Sequence, residues 1–392
     1  MQKLTLQKPA RATLFAGGMY FGYYFALGTF MPYINLYFER IGLSGVQIGS
    51  LTALPVLVVS ATSLLWGTVA DAFRWHKKIL SIALLLTPLA VLLIPRTNEF
   101  VLLIPIILAY AFFGSPIVPL LDSSALEIAK TSGSSYGQLR VWGSIGWSVS
   151  TWLIGASIER TDIRIFFYLY AIFMGVLLLA SFIQPGRVYT NLNPSLKLNF
   201  RGFLRFDIVI FLVSIYLIST TSGVVYAFFS IYMDRIGAGE GMIGLGWSLG
   251  SLTEIPVMLF SALLLRRIGA AGLLKISFVT YMVRWFLFSF ITQPELALMV
   301  QLLHGLSFGM FLVGSVTFLS ERAPLGMETT AQAIFSTVTF GFGSITGAML
   351  GGYLLDRVGI SNLFVVLSGI SLAGFLLFNF AGNFRERILR LA

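Results

Sequence analysis

Long apolar segments separated by short polar turns run through the whole chain of 392 residues. Hydrophobic residues make up 57% of it and charged residues only 11%, with a mean hydropathy of +0.88. A soluble domain carries about 25% charged residues, so this chain lacks the polar groups that would coat a soluble surface. The composition predicts a membrane protein whose spans use nearly the whole length. No room is left for a soluble catalytic or nucleotide-binding domain.

Hydropathy, with charged residues, Pro and Gly as boundaries, predicts twelve membrane-spanning helices in two sets of six. A helix of about 20 apolar residues is long enough to cross a bilayer. The predicted segments lie near 13–38, 47–70, 79–95, 100–127, 137–158, 164–184, 207–233, 242–265, 273–292, 295–320, 330–355 and 361–382. The first follows a basic start but is too long for the apolar core of a signal peptide, so we expect a retained helix.

The longest polar stretch of the chain separates the two sets of segments. We predict an N-terminal six-helix bundle at 1–185, a linker at 186–206 and a C-terminal six-helix bundle at 207–392. If all twelve segments span, most Lys and Arg residues share a side with the linker and both termini, which the positive-inside rule assigns to the cytoplasm.

The net charge of +10 therefore reports topology, and we expect no nucleic-acid partner. The chain contains no cysteine, which excludes disulfides, thiolate chemistry and iron–sulfur clusters.

Five ionisable residues lie inside the predicted spans. A charge in a transmembrane segment costs at least about 2.5 kcal/mol, so each one requires a partner, a water-filled cavity or a function. They are Asp122, Arg140, Glu254, Arg284 and His304.

The depth of each charge follows from folding neighbouring segments about their loops at 1.5 Å per residue. Asp122 and Arg140 enter from the same side, at depths that allow them to meet as an ion pair. The other three charges fall in one layer near the midplane. Polar groups at this depth predict a solute site with protonatable groups, the alternative being ion pairs that only hold helices together. Trp147 lies two turns after Arg140 on nearly the same face and is a candidate lining residue.

The second predicted loop contains Gly67-Thr-Val-Ala-Asp71 followed by Arg74, Lys77 and Lys78. Together with twelve spans and a central linker, this pattern resembles the major facilitator superfamily, although the Arg and Gly usual just after the acid are missing. The resemblance implies the major facilitator fold and assigns Gly67, Asp71, Arg74 and Lys77 to a loop that takes part in the inward/outward switch.

Several local stretches are similar to the phenylpropionate permease branch of that superfamily, a relative of the lactose:proton symporters. The similarity covers essentially the whole chain. The stretches are Ser115-Pro-Ile-Val-Pro-Leu-Leu-Asp122, Tyr136-Gly-Gln-Leu-Arg140-Val-Trp-Gly-Ser144, Trp247-Ser-Leu-Gly before Glu254, Val283-Arg284-Trp285 and Gln301-Leu-Leu-His304.

The resemblance implies a set of solute-binding residues, with Arg284 also assisting proton coupling. The set is Asp122, Arg140, Trp147, Glu254, Arg284 and His304. Two positions depart from the lactose permease: Ser307 stands where that protein has a glutamate, and Val257 where it has an asparagine that binds sugar. These departures weaken a galactoside assignment.

The chain is therefore predicted to be a secondary active transporter, a proton symporter of a small organic solute that works by alternating access as its two halves rock. An aromatic carboxylate is the leading solute. Arg140 or Arg284 can bind a carboxylate, and three tryptophans, Trp147, Trp247 and Trp285, can offer aromatic faces. Glu254 is the first candidate for the proton carrier, followed by Asp122 and His304.

The alternatives are a sugar or nucleoside symporter and an exporter of an unrelated small molecule. A membrane enzyme or a receptor without transport is disfavoured, because no activated nucleophile or metal cluster stands out. We expect no cofactor and no metal, a proton gradient as the energy source, and a monomer with multiple spans in the lipid bilayer of a bacterial cytoplasmic (inner) membrane.

Overall fold

The computed structural model describes residues 9–132, 135–183, 203, 205–324 and 327–391, and every long regular element in these ranges is helical. The predicted all-α class is confirmed. The α-helices are α1 Pro9–Arg40, α2 Gly45–Phe73, α3 His76–Leu93, α4 Phe100–Gly114, α5 Ile117–Ser132, α6 Tyr136–Ile158, α7 Ile165–Ile183, α8 Phe206–Arg235, α9 Glu240–Leu259, α10 Ser261–Phe290, α11 Pro294–Gln301, α12 Met310–Ser320, α13 Glu328–Ser336 and α14 Ser344–Leu391. Nearly all of the predicted linker 186–206 lies outside the described residues.

Within the described residues, eight helical stretches are long and apolar enough to cross a membrane. They are Gly45–Phe73, His76–Arg96, Phe100–Ala129, Ile165–Ile183, Phe206–Arg235, Glu240–Leu259, Pro294–Ser320 and Thr330–Phe380. Many large apolar side chains on these helices are exposed, such as Val101 and Ile183, as lipid-facing residues are. The chain is an integral, multi-pass membrane protein, while the number twelve stays a prediction.

Long helices that fall outside this set carry more polar residues. The helix α10 contains Arg266, Arg267, Lys275 and Arg284. The helices α1 and α6 are rich in glycine and in hydroxyl-bearing or aromatic residues. A span that faces other helices can tolerate such residues, since small and polar side chains serve helix packing in membranes.

Two helices that continue through a break contain a glycine with positive φ. Gly269 in α10 has φ 68° and Gly359 in α14 has φ 76°, values that other residues rarely adopt. The breaks lie in the predicted gaps after 265 and after 355. The single segment predicted at 242–265 is divided, because α9 ends at Leu259 and α10 begins at Ser261.

Two short π-helical segments interrupt regular helix geometry. One covers Gly305–Gly309, between α11 and α12, and the other covers Thr337–Gly343, between α13 and α14. Widened turns of this kind are frequent at functional sites. The first begins directly after His304, one of the predicted site residues.

The chain divides into two compact units. Unit 1 comprises residues 1–43, 54–186 and 238–248, and unit 2 comprises 44–53, 187–237 and 249–392. In unit 1, α1 packs against α5, α6 and α7, and α3 packs against α4 and α7. In unit 2, α8 packs against α14, and α10 packs against α12 and α14. The division into two bundles of six spans stays a prediction.

Each unit has an aromatic core. In unit 1, the ring of Phe30 on α1 contacts Tyr110, Phe166 and Tyr170 on α4 and α7. In unit 2, the rings of α8, α10 and α14 meet through Tyr232, Phe288 and Phe364. These rings bury large areas and fix the helices that carry the polar residues of the site.

Candidate functional site

Asp122 on α5 is held by two tyrosine hydroxyls. Tyr20 on α1 donates to Oδ1 at 2.5 Å, and Tyr136 on α6 donates to the same oxygen at 3.1 Å. Three helices of unit 1 therefore converge on one carboxylate. Both donors are neutral, so these hydrogen bonds do not balance the negative charge that the ionised acid carries.

Arg140 lies one turn after Tyr136 on α6, and aromatic rings surround its guanidinium. The guanidinium carbon lies 4.4 Å from the ring centroid of Tyr24 and 5.6 Å from that of Tyr20. Within the described part of the chain, no carboxylate forms an ion pair with Arg140. The ion pair between Arg140 and Asp122 is not formed: the acid accepts hydrogen bonds from Tyr20 and Tyr136 instead, and the guanidinium lies over two tyrosine rings.

Trp147 lies farther along α6 and packs against a second indole. Its ring centroid is 6.3 Å from that of Trp247 on α9, with the planes at 79°. Both residues belong to unit 1, and both side chains are only partly buried. The pair presents apolar faces in the same unit as Arg140. We call Tyr20, Tyr24, Asp122, Tyr136, Arg140, Trp147 and Trp247 the unit 1 cluster.

Unit 2 contains a separate acid–histidine pair. Nε2 of His304 lies 3.0 Å from Oε1 of Glu254, which joins α9 to the chain just after α11. About a quarter of the His304 side chain and a fifth of the Glu254 side chain are exposed. These two predicted residues are brought together and are the more accessible titratable groups of this region.

Arg284 on α10 is almost completely buried, with 1% of its surface exposed. Its Nη1 donates to the Ser307 hydroxyl at 2.5 Å, and its Nη2 donates to the side-chain oxygen of Gln301 at 2.7 Å. Its guanidinium lies 4.8 Å from the centroid of Trp285. Glu254, Arg284, Gln301, His304 and Ser307 form the unit 2 cluster, and the predicted layer is present with two additional members.

Trp285 cannot offer an aromatic face to a solute in this conformation. It is 1% exposed, and its Nε1 donates to the hydroxyl of Thr221 at 3.0 Å. The ring stacks with Phe288 inside the core of unit 2. Of the three tryptophans considered from the sequence, this one is a core residue, and Trp147 and Trp247 are the accessible pair.

The π-helical segment positions the residues around His304. The backbone N–H of Gly305 donates to Thr253 Oγ1 at 3.0 Å, and a side chain at Gly305 would meet the carbonyl oxygen of Thr253. The carbonyl of Ser307 accepts from the Ser277 hydroxyl at 2.7 Å. The close packing of Gly305 against Thr253 and the hydrogen bond from Ser277 together fix the position at which Ser307 contacts Arg284.

The predicted switch loop is mostly helical: Gly67 and Asp71 belong to α2 and Lys77 belongs to α3, so only Arg74 lies in the short turn between them. Asp71 lies 2.8 Å from Nε2 of His76, and Lys77 donates to the backbone carbonyl of Phe182 at the end of α7 at 2.9 Å. Arg74 has φ 55°, a rare conformation for a residue with a side chain. Gly67 lies within α2, with open space where a Cβ would be.

Sequence reasoning missed the neutral partners of the charges. Helical spacing could have indicated two of them. Tyr136 precedes Arg140 by one turn and Gln301 precedes His304 by almost one turn, so each shares a helix face with a predicted site residue. Tyr20 and Ser307 gave weaker signals, because hydroxyl-bearing residues are common in every span. Among the residues that the structure describes, no three His, Cys, Asp or Glu side chains converge as metal ligands.

Comparisons with known proteins give one consistent result. A family model described as MFS_1 like family matches residues 15–366. A maltose permease of Geobacillus stearothermophilus is 28% identical over 371 residues, covering 94% of this chain and 93% of that protein. A protein of Escherichia coli (strain K12) named probable 3-phenylpropionic acid transporter is 27% identical, covering 87% of this chain and 90% of its own length. The crystal structure of the nucleoside transporter NupG matches with a TM-score of 0.84 at 19% identity, covering 94% of this chain and 98% of NupG, which shows a shared fold.

Proposed function

The chain belongs to the MFS_1 like family, and we propose on that premise that it carries a small organic acid across the membrane together with a proton. The resemblance to the major facilitator superfamily is thereby confirmed, and membership implies a transporter and not a catalyst. Twelve spans, cytoplasmic termini, a monomer and a place in a bacterial inner membrane are part of the proposal.

The substrate class we propose is an aromatic carboxylate. The main observation behind this proposal is that Arg140 has no acid partner in the described part of the chain. Its guanidinium lies over the rings of Tyr24 and Tyr20, and Asp122 accepts hydrogen bonds from tyrosine hydroxyls instead. A planar guanidinium can bind a carboxylate through two parallel hydrogen bonds. Trp147 and Trp247 offer aromatic surface in the same unit. The relative named for 3-phenylpropionic acid supports the same class.

For proton coupling we propose Glu254 as the main carrier, with Asp122 and His304 as further candidates. Glu254 is bonded to a histidine, itself a proton-accepting group, and stays partly accessible. Burial favours the neutral acid, and a nearby cation favours the ionised acid. A conformational change that alters either environment therefore changes proton affinity, as alternating access requires. The residues around the turn between α2 and α3, Gly67, Asp71, Arg74 and Lys77, would take part in that change.

A sugar or nucleoside is the second candidate substrate. The maltose permease is the relative with the higher identity of the two curated proteins, and NupG has the same fold. The accessible indole of Trp147 suits a sugar ring or a base as well as a phenyl ring. A substrate panel separates these classes.

Purified protein in proteoliposomes tests the proposal. We expect uptake of radiolabelled 3-phenylpropionate, with accumulation only when the outside is more acidic. Maltose and uridine serve as the competing substrates. Glu254→Gln should still exchange substrate across the membrane but lose accumulation driven by the pH gradient. Uptake of maltose or uridine without 3-phenylpropionate would contradict the acid assignment, and full accumulation by Glu254→Gln would contradict the proton carrier.

A further inference from the structure

The hydrogen-bond partners of Arg284 are all neutral. Its terminal nitrogens donate to the Ser307 hydroxyl and the Gln301 amide oxygen, while its Nε is buried and has no hydrogen-bond partner. Across the described ranges, no carboxylate lies within ion-pair distance of this guanidinium. A buried arginine is normally paired with an acid, because an uncompensated charge in a low dielectric is costly. Any carboxylate that balances the charge of Arg284 therefore lies beyond direct contact.

The carboxylate of the unit 2 cluster is already bonded to a neighbour. Glu254 contacts His304 at 3.0 Å, and His304 lies between Gln301 and Ser307 in the chain. When His304 is neutral, the negative charge of Glu254 offsets the positive charge of Arg284, and the cluster has no net charge. Tyr281, one turn before Arg284 on α10, packs against the ring of Trp285 and adds a neutral side chain. Adding one proton to the acid–histidine pair gives the cluster one net positive charge.

The neutral acceptors are held in fixed positions. The Ser307 hydroxyl also donates to the carbonyl of His304 at 3.0 Å, and the Ser307 carbonyl accepts from Ser277. The Gln301 side chain packs on α9, where a Cβ at Gly250 would lie 3.3 Å from its Nε2. Both residues are buried. The two acceptors can therefore hold Arg284 without adding charge.

We propose that Gln301 and Ser307 are charge-specificity residues: because they hold Arg284 through neutral groups, the proton-loaded cluster favours a solute with one negative charge over a neutral solute of the same shape. This proposal rests on the proposed function, since it assumes that a solute and a proton are bound together. The preference arises because the interaction between charges is strong in a low dielectric and weak in water. A carboxylate at position 301 or 307 would neutralise the charge of Arg284 and remove the preference for an anionic solute.

An isosteric substitution tests the proposal. Gln301→Glu adds a carboxylate beside Nη2 with almost no change in shape, and Ser307→Asp adds one beside Nη1. The probes are 3-phenylpropionate and 3-phenylpropionamide, which share a shape and differ in charge. In proteoliposomes with an inward proton gradient, the wild type should transport the acid about tenfold better than the amide, and each variant should lower that ratio about tenfold. Gln293→Glu, the same substitution at an exposed position just before α11 and outside the unit 2 cluster, should keep the ratio within about twofold of the wild type.

The outcomes separate this proposal from the proposed function. A ratio unchanged in Gln301→Glu, in protein that elutes as a single species and unfolds cooperatively, overturns the role of the two residues. A wild type that transports acid and amide equally well overturns it without any variant. A wild type that transports neither compound, but does transport maltose or uridine, contradicts the proposed acid substrate instead. Because Gln301 and Ser307 contact different nitrogens of Arg284, the test still works if one of the two variants fails to fold.

Discussion

The hydroxyl of Tyr20 on α1 donates to the carboxylate of Asp122 on α5 at 2.5 Å, although the two residues are 102 positions apart in the chain. This bond and the longer one from Tyr136 both end on Oδ1 of Asp122, and the carboxylate forms no ion pair with Arg140 in the described part of the chain. Tyr20 therefore contacts both charged residues of the unit 1 cluster, because its ring centroid also lies 5.6 Å from the guanidinium carbon of Arg140.

Removal of the Tyr20 hydroxyl should reduce the affinity of the transporter for its acid substrate. In Tyr20→Phe, Asp122 loses its shorter hydrogen bond and becomes free to pair with Arg140. The loss of one hydrogen bond to a charged group corresponds to about 1.5 kcal/mol, so we expect the KM for 3-phenylpropionate to rise about tenfold. Tyr168→Phe is the matched control, since that side chain is about half exposed on α7 of the same unit. Equal KM values for the two variants would contradict this role of Tyr20.

The π-helical segment should not tolerate a side chain at Gly305. A Cβ there would meet the backbone carbonyl of Thr253, which cannot rotate away, and would break the bond from the Gly305 N–H to Thr253 Oγ1. We expect Gly305→Ala to destabilise the protein by about 1–3 kcal/mol and to lower its thermal unfolding temperature in detergent. Gly175→Ala should leave that temperature equal or higher, because nothing lies within 4 Å of a Cβ at that helical position. A reversed order of the two unfolding temperatures would show that the close approach of α9 is unimportant.

A carboxylate caps the N-terminus of α2. Asp356 on α14 accepts hydrogen bonds from the backbone N–H groups of Gly45 at 2.7 Å and Val46 at 2.9 Å, all within unit 2. A negative charge at a helix N-terminus satisfies free N–H groups and interacts with the helix dipole. Asp356→Asn should therefore destabilise the protein by about 1 kcal/mol in thermal unfolding. Glu99→Gln is the control, since Glu99 precedes α4 without a side-chain capping bond and should change stability by less than half as much.

The charged members of the site could be predicted from the sequence because a charge in an apolar span is rare. That rule identified Glu254 and His304, which the structure joins, and the depth argument placed Arg284 with them. The rule could not predict which partners these charges choose. Gln301 and Ser307 are ordinary residues of a membrane helix, and only their positions around α10 make them partners of Arg284.

The helix breaks could be predicted from composition, whereas the π-helical turns depend on three-dimensional packing. The gaps near Gly269 and Gly359 were visible as changes in hydropathy, and both contain a glycine with positive φ. The π-helical turns were not predictable, since they depend on neighbouring helices and not on local hydropathy. Gly305, for example, has no feature that marks a widened turn until Thr253 is seen packed against it.

Trp147 should give the site its preference for aromatic solutes. Its indole is partly accessible and packs edge to face with Trp247, so a solute ring can extend the aromatic contact. An aromatic pair is worth about 0.5–1.5 kcal/mol beyond area burial, which corresponds to a preference of about two- to tenfold. We therefore expect the wild type to transport 3-phenylpropionate better than 3-cyclohexylpropionate, which has the same charge and no aromatic ring. Trp147→Leu should abolish this preference, whereas Trp152→Leu, at an exposed position of the same helix, should retain it. If Trp147→Leu still discriminates between the two acids as the wild type does, the solute ring binds elsewhere in the transporter.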